Sequence, residues 1–277
     1  MQSGYYNTTG GMVTQFSRLD LISNNLANLN TNGFKRDDVV IGDFLRLFET
    51  HKEQLPIEDH TKKAAKFLNR TMNRVPIISE EYTDRSTGSM MQTDNPLDFA
   101  LQSENAFFAI QTPDGIRYTR DGSFSINAEG YLVSKEGHLV LSRDGVDSGD
   151  GIQVPHGMHL EGDANGNLYL RNTNADAIAE QINIGGLAVV GFENPRYLKK
   201  VGKNLYQYPQ ERINERDVIQ NSGVIAQGFL EKSNVNAVLE MTSLIETNRL
   251  VDMYSKVMKS HMDDLNTEAI TKLAVRA

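Results

Sequence analysis

Near the N-terminus, side chains recur in steps of four and three: Tyr5, Thr9, Met12, Phe16, Leu19, Ser23 and Leu26. Ile22 widens this stripe, and Thr14, Gln15, Ser17 and Asp20 lie opposite it. Such spacing places one row on one face of an α-helix. Gly10 and Gly11 fall inside the row and cost up to about 1 kcal/mol each relative to alanine. The first ten residues are therefore expected to fray in the isolated chain. The other end repeats the pattern at greater length, through Ala237, Met241, Leu244, Asn248, Val251, Ser255, Met258, Met262, Leu265 and Ala269. Val238, Ile245, Tyr254 and Val257 form a flanking row. Asn236 stands where an N-cap is wanted, and a helix over 237–269 would run roughly 50 Å. A heptad sustained this long buries its seam against another helix by knobs-into-holes packing. The N-terminal stripe is an obvious partner but is too short to cover the whole seam, and neither helix accounts for the flanking rows. Periodicity alone leaves two readings open: a helix pair packed on its own domain, or a pair that packs against copies of itself or relatives.

Five asparagines crowd the positions from Asn24 to Asn32. Their side chains compete for backbone groups and weaken a helix interior. Asn24, Asn25 and Asn28 are placed to bond orphan carbonyls at the helix end or to reach across to a neighbouring helix. Asn248 could set register in the C-terminal seam. Asn30, Asn32 and Gly33 suit the left-handed backbone that stops a helix.

From about residue 96 the period changes to short β-prone runs between turn signals. Pro113-Asp114-Gly115, Asp121-Gly122, Glu129-Gly130 and Glu136-Gly137 mark reversals, and Asn165-Gly166 marks a further hairpin. No βαβ alternation is visible, which argues against a nucleotide-binding parallel sheet. The expected class is α+β: a discontinuous helical coiled-coil domain built from both termini, plus a central antiparallel β-rich domain. Its segments are 1–36, an N-terminal helix; 37–95, an extended and partly helical connection; 96–232, the β-rich domain; and 233–277, the C-terminal helix. Within the connection, 41–55 and 61–74 read as short amphipathic helices and 75–96 as extended.

Composition narrows the function classes. Of 277 residues 39% are hydrophobic and 23% charged, the signature of a folded chain. The formal charge of −8 provides no basic field for nucleic acid. With no cysteine, disulfides, thiol catalysis and cysteine-ligated zinc are excluded. No apolar run approaches the roughly 20 residues of a membrane span, so no membrane insertion is expected. The first 20 residues carry neither a cationic stretch nor an apolar one, so no cleaved secretory signal is expected. The six histidines are scattered, and His156 and His159 sit at turn-like spacing. Adjacent Glu80 and Glu81 would face opposite ways in a strand. "GDANGN" at 162–167 lacks the later glutamate of a calcium loop and reads as a hairpin turn. "GVDSGDG" at 145–151 has no P-loop lysine, and no Gly-x-Ser-x-Gly elbow occurs. No enzyme activity, cofactor or metal is expected. The competing class, a soluble β-domain enzyme or glycan-binding module, would need a polar cleft at Asp98, Asp114 or Asp121, of which Asp114 and Asp121 read as turn residues.

Three stretches carry a family resemblance. "LDLISNNLANLNTNGFKR" (19–36) resembles the N-terminal signature of bacterial flagellar axial proteins. "NPLDFALQSENAFFAIQTPDGIRYTRDGSFSINAEGYLVSKEGHLVL" (95–141) resembles the β domain of the rod proteins FlgF and FlgG, and "GFLEKSNVNAVLEMTSLIETNRLVDMYSKVMKSHMDDLN" (228–266) their C-terminal signature. The resemblance implies a structural subunit of the basal-body rod. Its terminal helices would pair into the inner tube of a hollow helical shaft crossing the periplasm, clothed by the β domain. Partners would be copies of itself, other rod proteins and the flagellar export apparatus, which would pass the chain without a cleaved signal. On this reading the subunit contacts run through Met12, Phe16, Leu19, Ile22, Asn24, Asn25, Leu26 and Asn28 at one end. At the other they run through Met241, Leu244, Ile245, Asn248, Val251, Met258, Met262 and Leu265. The wording of "NPLDFALQ" and "GFLEKSNVNAVLEMTSLIE" is nearer the FlgF type of the proximal rod than the FlgG type of the distal rod. Residues 37–95 match neither type.

Overall fold

Both terminal stripes fold as helices in the computed structural model, which describes residues 2–43, 76–172, 182–220 and 223–274. The chain divides into two compact units, one comprising Met1–Ala27, Asp37–Asp84 and Asn236–Ala277, the other Asn28–Arg36 and Arg85–Val235.

The first unit holds helix α1 (Gln2–Ala27), strands β1 (Asp37–Asp43) and β2 (Pro76–Thr83), and helix α2 (Ala237–Ala274). α1 runs through Gly10-Gly11 without a break. The reason is a close helix crossing: a Cβ on Gly11 would lie 2.7 Å from the ring of Tyr254 in α2. Asn236 caps α2 as its position predicts, accepting from the Val238 and Leu239 N–H groups at 3.0 and 3.3 Å. The antiparallel pair β1–β2 packs beside α1, with a register shift between Val40 and Ile41. The Thr14 hydroxyl donates toward the Pro76 carbonyl at 2.9 Å. These strands occupy the stretch read as a connection; the short helices expected within 41–55 and 61–74 fall almost wholly outside the described residues.

The described residues of the second unit form strands, turns and two short 3₁₀ segments. Its strands, in chain order, begin with β3 (Met90–Gln92), β4 (Phe99–Leu101), β5 (Ala106–Thr112), β6 (Gly115–Thr119), β7 (Ser125–Ile126), β8 (Leu132–Val133) and β9 (Leu139–Val140). They continue with β10 (Met158–Gly162), β11 (Asn167–Asn172), β12 (Ile182–Gly186), β13 (Val189–Phe192) and β14 (Lys199–Lys200), then β15 (Leu205–Gln207), β16 (Arg216–Val218), β17 (Ile225–Gln227) and β18 (Phe229–Glu231). Every pairing recorded is antiparallel. The largest sheet runs β14-β15-β6-β5-β9-β8-β7, with β13 on β5 and β16 on β13, and β10-β11-β12 form a smaller one. Pro113-Asp114, Glu129-Gly130, Glu136-Gly137 and Asn165-Gly166 fall between strands as predicted, and Gly115 opens β6. β5 explains the core. Ala106, Phe108 and Ile110 enter one apolar cluster with Phe99, Leu132 and Leu168, while Phe107 and Ala109 enter another with Tyr118, Phe192 and Tyr206. A strand buried on both faces reads as a continuous apolar run, and "AFFAI" is one.

Candidate assembly surface and a buried charge cluster

The face that α1 and α2 bury against their own unit differs from the apolar rows of the sequence. On α1 the buried residues are Thr8, Gly11, Gln15, Ile22 and Asn25, with Thr14 beside them. Each member of the row stands one position before the corresponding member of the predicted stripe. On α2 the most buried side chains are Glu240 and Thr247, in line with Leu244, Val251, Tyr254 and Met258, which are half-buried. Apart from Ile22, the fully buried positions of the intramolecular seam are thus small or polar, and its apolar members on α2 are only half-buried. Among the described residues the Gln15 Oε1 and Thr247 Oγ1 atoms are buried without a hydrogen-bond partner. Unpaired groups of this kind cost free energy.

The apolar rows lie to the sides. Phe16 is 46% exposed, Met241 53% and Ile245 54%; Met12, Leu19 and Leu26 are half-buried. Around α2, at 100° per residue, Val238, Met241 and Ile245 form one flank of the seam. Leu239, Met253 and Val257 form the opposite flank, with Met253 54% exposed. Farther along, Met262 and Leu265 are exposed. Asn248 is exposed, and so is Asn24.

Two of the asparagines do something the sequence did not reveal. Asn25 is buried and forms a two-bond ring with one residue. Its Nδ2 donates to the Asp37 carbonyl at 2.8 Å and its Oδ1 accepts the Asp37 N–H at 3.0 Å. It therefore pairs with the first residue of β1 rather than with a helix carbonyl. Asn28 closes the turn after α1: its carbonyl accepts from the Thr31 N–H and its Oδ1 from the Thr31 hydroxyl, both at 3.1 Å. Gly33 takes the left-handed conformation, φ +66°; Asn30 and Asn32, expected to share it, do not. A Cβ on Gly33 would also lie 2.4 Å from the Arg120 carbonyl carbon, so close approach as well as φ demands glycine there.

That approach leads to a buried charge cluster inside the β-rich unit. Glu231, at the end of β18, receives Lys35 Nζ on Oε1 at 2.6 Å and Arg120 on Oε2 at 2.7–2.8 Å. The Gly88 N–H also donates to Oε1, at 2.9 Å. Lys35 donates further to the Ser86 carbonyl at 2.7 Å, and Arg120 to those of Ala106 and Leu101 at 2.7 and 3.2 Å. All three side chains are buried to 2% exposure or less. None was singled out from the sequence. Yet Lys35 lies in "NGFKR", Arg120 in "YTRDG" and Glu231 in "GFLEKSN", so the three resembling blocks meet in space. No spacing or period in the sequence marks these three charges as partners.

Two of the acidic groups weighed in the sequence sit in turns. Asp163 of "GDANGN" accepts the N–H groups of Asn165 and Asn167 and the Asn167 side chain, at 2.8–2.9 Å, which is the hairpin reading. Asp121 accepts the N–H of Ser123 at 3.0 Å.

Comparison with known proteins finds the same three regions. A model described as Flagella basal body rod protein matches residues 6–35, one described as Flagellar hook protein FlgE/F/G D1 domain matches 103–188, and one described as Flagellar basal body rod FlgEFG protein C-terminal matches 226–271. The rod protein FlgF of Mesorhizobium japonicum is 32% identical over 283 residues, spanning 100% of both chains. FlgG of Buchnera aphidicola subsp. Baizongia pistaciae is 33% identical over 259 residues, 90% of this chain and 91% of its own. The chain belongs to the FlgF/FlgG family of flagellar basal-body rod proteins. Rod proteins of the FlgF/FlgG family are structural, and this chain is a structural rod subunit rather than an enzyme. FlgF of Caulobacter vibrioides, 30% identical over 277 residues, covers 99% of the chain. Within the rod family, then, the alignments run through both helices as well as the β-rich unit.

Proposed function

We propose that this rod subunit assembles through its terminal helices into a hollow helical shaft, with the helices as an axial core unit and the β-rich unit outside it. The observation that carries this reading is the pair of apolar flanks on α2, at Val238, Met241, Ile245 and at Leu239, Met253, Val257, which the chain's own α1 leaves exposed. A large side chain of these types gains roughly 1.5–3 kcal/mol when it passes from exposed to buried. Two different flanks suit head-to-tail contacts that do not close on themselves and so generate an open filament. The side chains at Met12, Phe16, Leu19, Ile22 and Leu26 would meet Leu244, Val251, Met258, Met262 and Leu265 of the same or a neighbouring subunit in coiled-coil fashion. Asn24 and Asn248, both exposed, would fix register, while Asn25 and Asn28 hold the start of β1 and the turn after α1.

The partners are further copies and other rod proteins, reached in the periplasm after passage through the flagellar export apparatus. We favour the proximal rod. The FlgF relatives from Mesorhizobium japonicum and Caulobacter vibrioides align over 100% and 99% of the chain, whereas the FlgG relative from Buchnera aphidicola subsp. Baizongia pistaciae aligns over 90%. Imaging basal bodies from a deletion strain tests the assignment. A shaft that stops below its distal section supports it, and one that lacks only the distal section places the subunit there instead. Deleting residues 1–36 should abolish motility; retained motility overturns the assembly reading.

A further inference from the structure

The chain crosses between its two units after residues 27, 36, 84 and 235. Inside the β-rich unit, the ends of three of these crossings are tied to one another. Asn234 joins them through neutral groups. Its Oδ1 accepts the Arg36 N–H at 2.8 Å, its Nδ2 donates to the Ser86 carbonyl and hydroxyl at 3.2 and 3.1 Å, and its own N–H donates to the Phe34 carbonyl at 3.3 Å. Three residues earlier, Glu231 joins the same segments through charge. It binds Lys35, the Gly88 N–H and Arg120, while its carbonyl accepts the Gly33 N–H at 2.7 Å. The Lys232 N–H donates to the Ser89 carbonyl at 2.9 Å, and the Lys200 ammonium sits 4.3 Å from the Phe34 ring centre. Arg120 roots the cluster in the core of the unit through the Leu101 and Ala106 carbonyls of β4 and β5.

Stability alone does not account for this design. Two buried cations around one carboxylate are no more stabilising than a well-packed apolar closure of similar volume, because desolvation offsets much of the attraction. What such bonds supply is direction: fixed angles and lengths between segments far apart in sequence. A single connecting strand, by contrast, has two soft torsions per residue and transmits twist poorly. We propose that the Glu231–Asn234 cluster is a load-transmitting clamp. It gathers three chain crossings into one body, so that torsional load reaching the β-rich unit is shared among them. The proposal rests on the rod reading, since only a rotating shaft supplies such load.

The test uses full-length chains that replace the native copy in the host: Asn234→Ala, Lys35→Met, and Ile152→Val as a mild change in the apolar core outside the cluster. Rods are counted in isolated basal bodies, and swimming is measured in buffer and in viscous medium. The expected result is normal rod number and normal swimming in buffer for all three. Loss of swimming in viscous medium is expected for Asn234→Ala and Lys35→Met but not for Ile152→Val. Native swimming of Asn234→Ala under high load overturns the proposal. So does an Asn234→Ala chain that folds but builds no rods, because the cluster then serves assembly instead. Urea unfolding of each purified chain identifies a Lys35→Met variant too unstable to use, in which case Asn234→Ala, which removes only neutral hydrogen bonds, carries the test. The rod reading fails separately, if the strain lacking this chain builds complete rods.

Discussion

At the scale of single residues, the strongest demands fall where a side chain or a glycine has one chemistry that works. Glu231 bridges the buried Lys35 and Arg120. Glu231→Gln keeps the shape but removes the charge both cations face, which is expected to cost about 3–5 kcal/mol, read as a lower urea midpoint at unchanged slope. Gly33→Ala meets both a left-handed φ and the Arg120 backbone, and should cost more than the roughly 0.4–1 kcal/mol that a compatible glycine-to-alanine change confers. The phenol of Tyr208 is a third case. Burial first, and then its donation to Glu215 at 2.7 Å, push its pKa up to about 12. In the unfolded chain it titrates near 10. The folded value is the higher one, so its contribution is fully present below pH 10 and is lost as pH rises toward about 12. Tyr208→Phe should therefore flatten the fall in thermal stability over that interval relative to the parent chain. The same donation holds the Glu215 carboxyl below the usual range.

At the scale of elements, the helix pair and the strand beside it obey different rules. The Asn25 ring closes on the Asp37 backbone at the very start of β1, where Asp37 also stands opposite Thr83 of β2. Asn25→Ala should expose the Asp37 amide to exchange far faster, with protection in the sheet around β5 unchanged, as measured by hydrogen exchange. For α2 the informative feature is which rows are left uncovered. The intramolecular seam spends Thr8, Gly11, Gln15, Glu240 and Thr247, residues that contribute little apolar burial, and keeps Met241, Ile245, Met253 and Val257 at the sides. Ile245→Asp should leave urea unfolding of the β-rich unit unchanged and abolish assembly, checked by sedimentation against concentration.

At the scale of the whole molecule, the question is how one chain makes a filament of indefinite length. If the two flanks of α2 take different neighbours, a chain spoiled at one flank can still offer the other. A mixture of Ile245→Asp and Met253→Asp chains should then stop at pairs in sedimentation, whereas either variant mixed with the parent chain should shorten filaments by capping one end. Filaments of normal length from the mixture would mean that the flanks are not the contacts. Both helices, the antiparallel β class and most of its turns could be read along the chain, because each depends on period or on local turn chemistry. The exact seam could not: α1 settles one residue away from its apolar stripe, because Gly11 admits the Tyr254 ring and so draws the helices together along a small-residue row, while α2 keeps Leu244, Val251 and Met258 of its stripe in the seam. Nor could the charge cluster, whose members are separated by 85 and 111 residues (35 to 120, and 120 to 231).

Local order determined what the amino-acid sequence settles alone: two amphipathic ends, a β-rich middle with its reversals at Asp-Gly, Glu-Gly and Asn-Gly, the N-cap at Asn236, and the family. Each arises from interactions within a few positions along the chain. Tertiary structure decided which helix rows are covered, what Asn25 holds, and that Lys35, Arg120 and Glu231 become one site. Those outcomes depend on distances across the fold, and no periodicity encodes the partner of a buried charge.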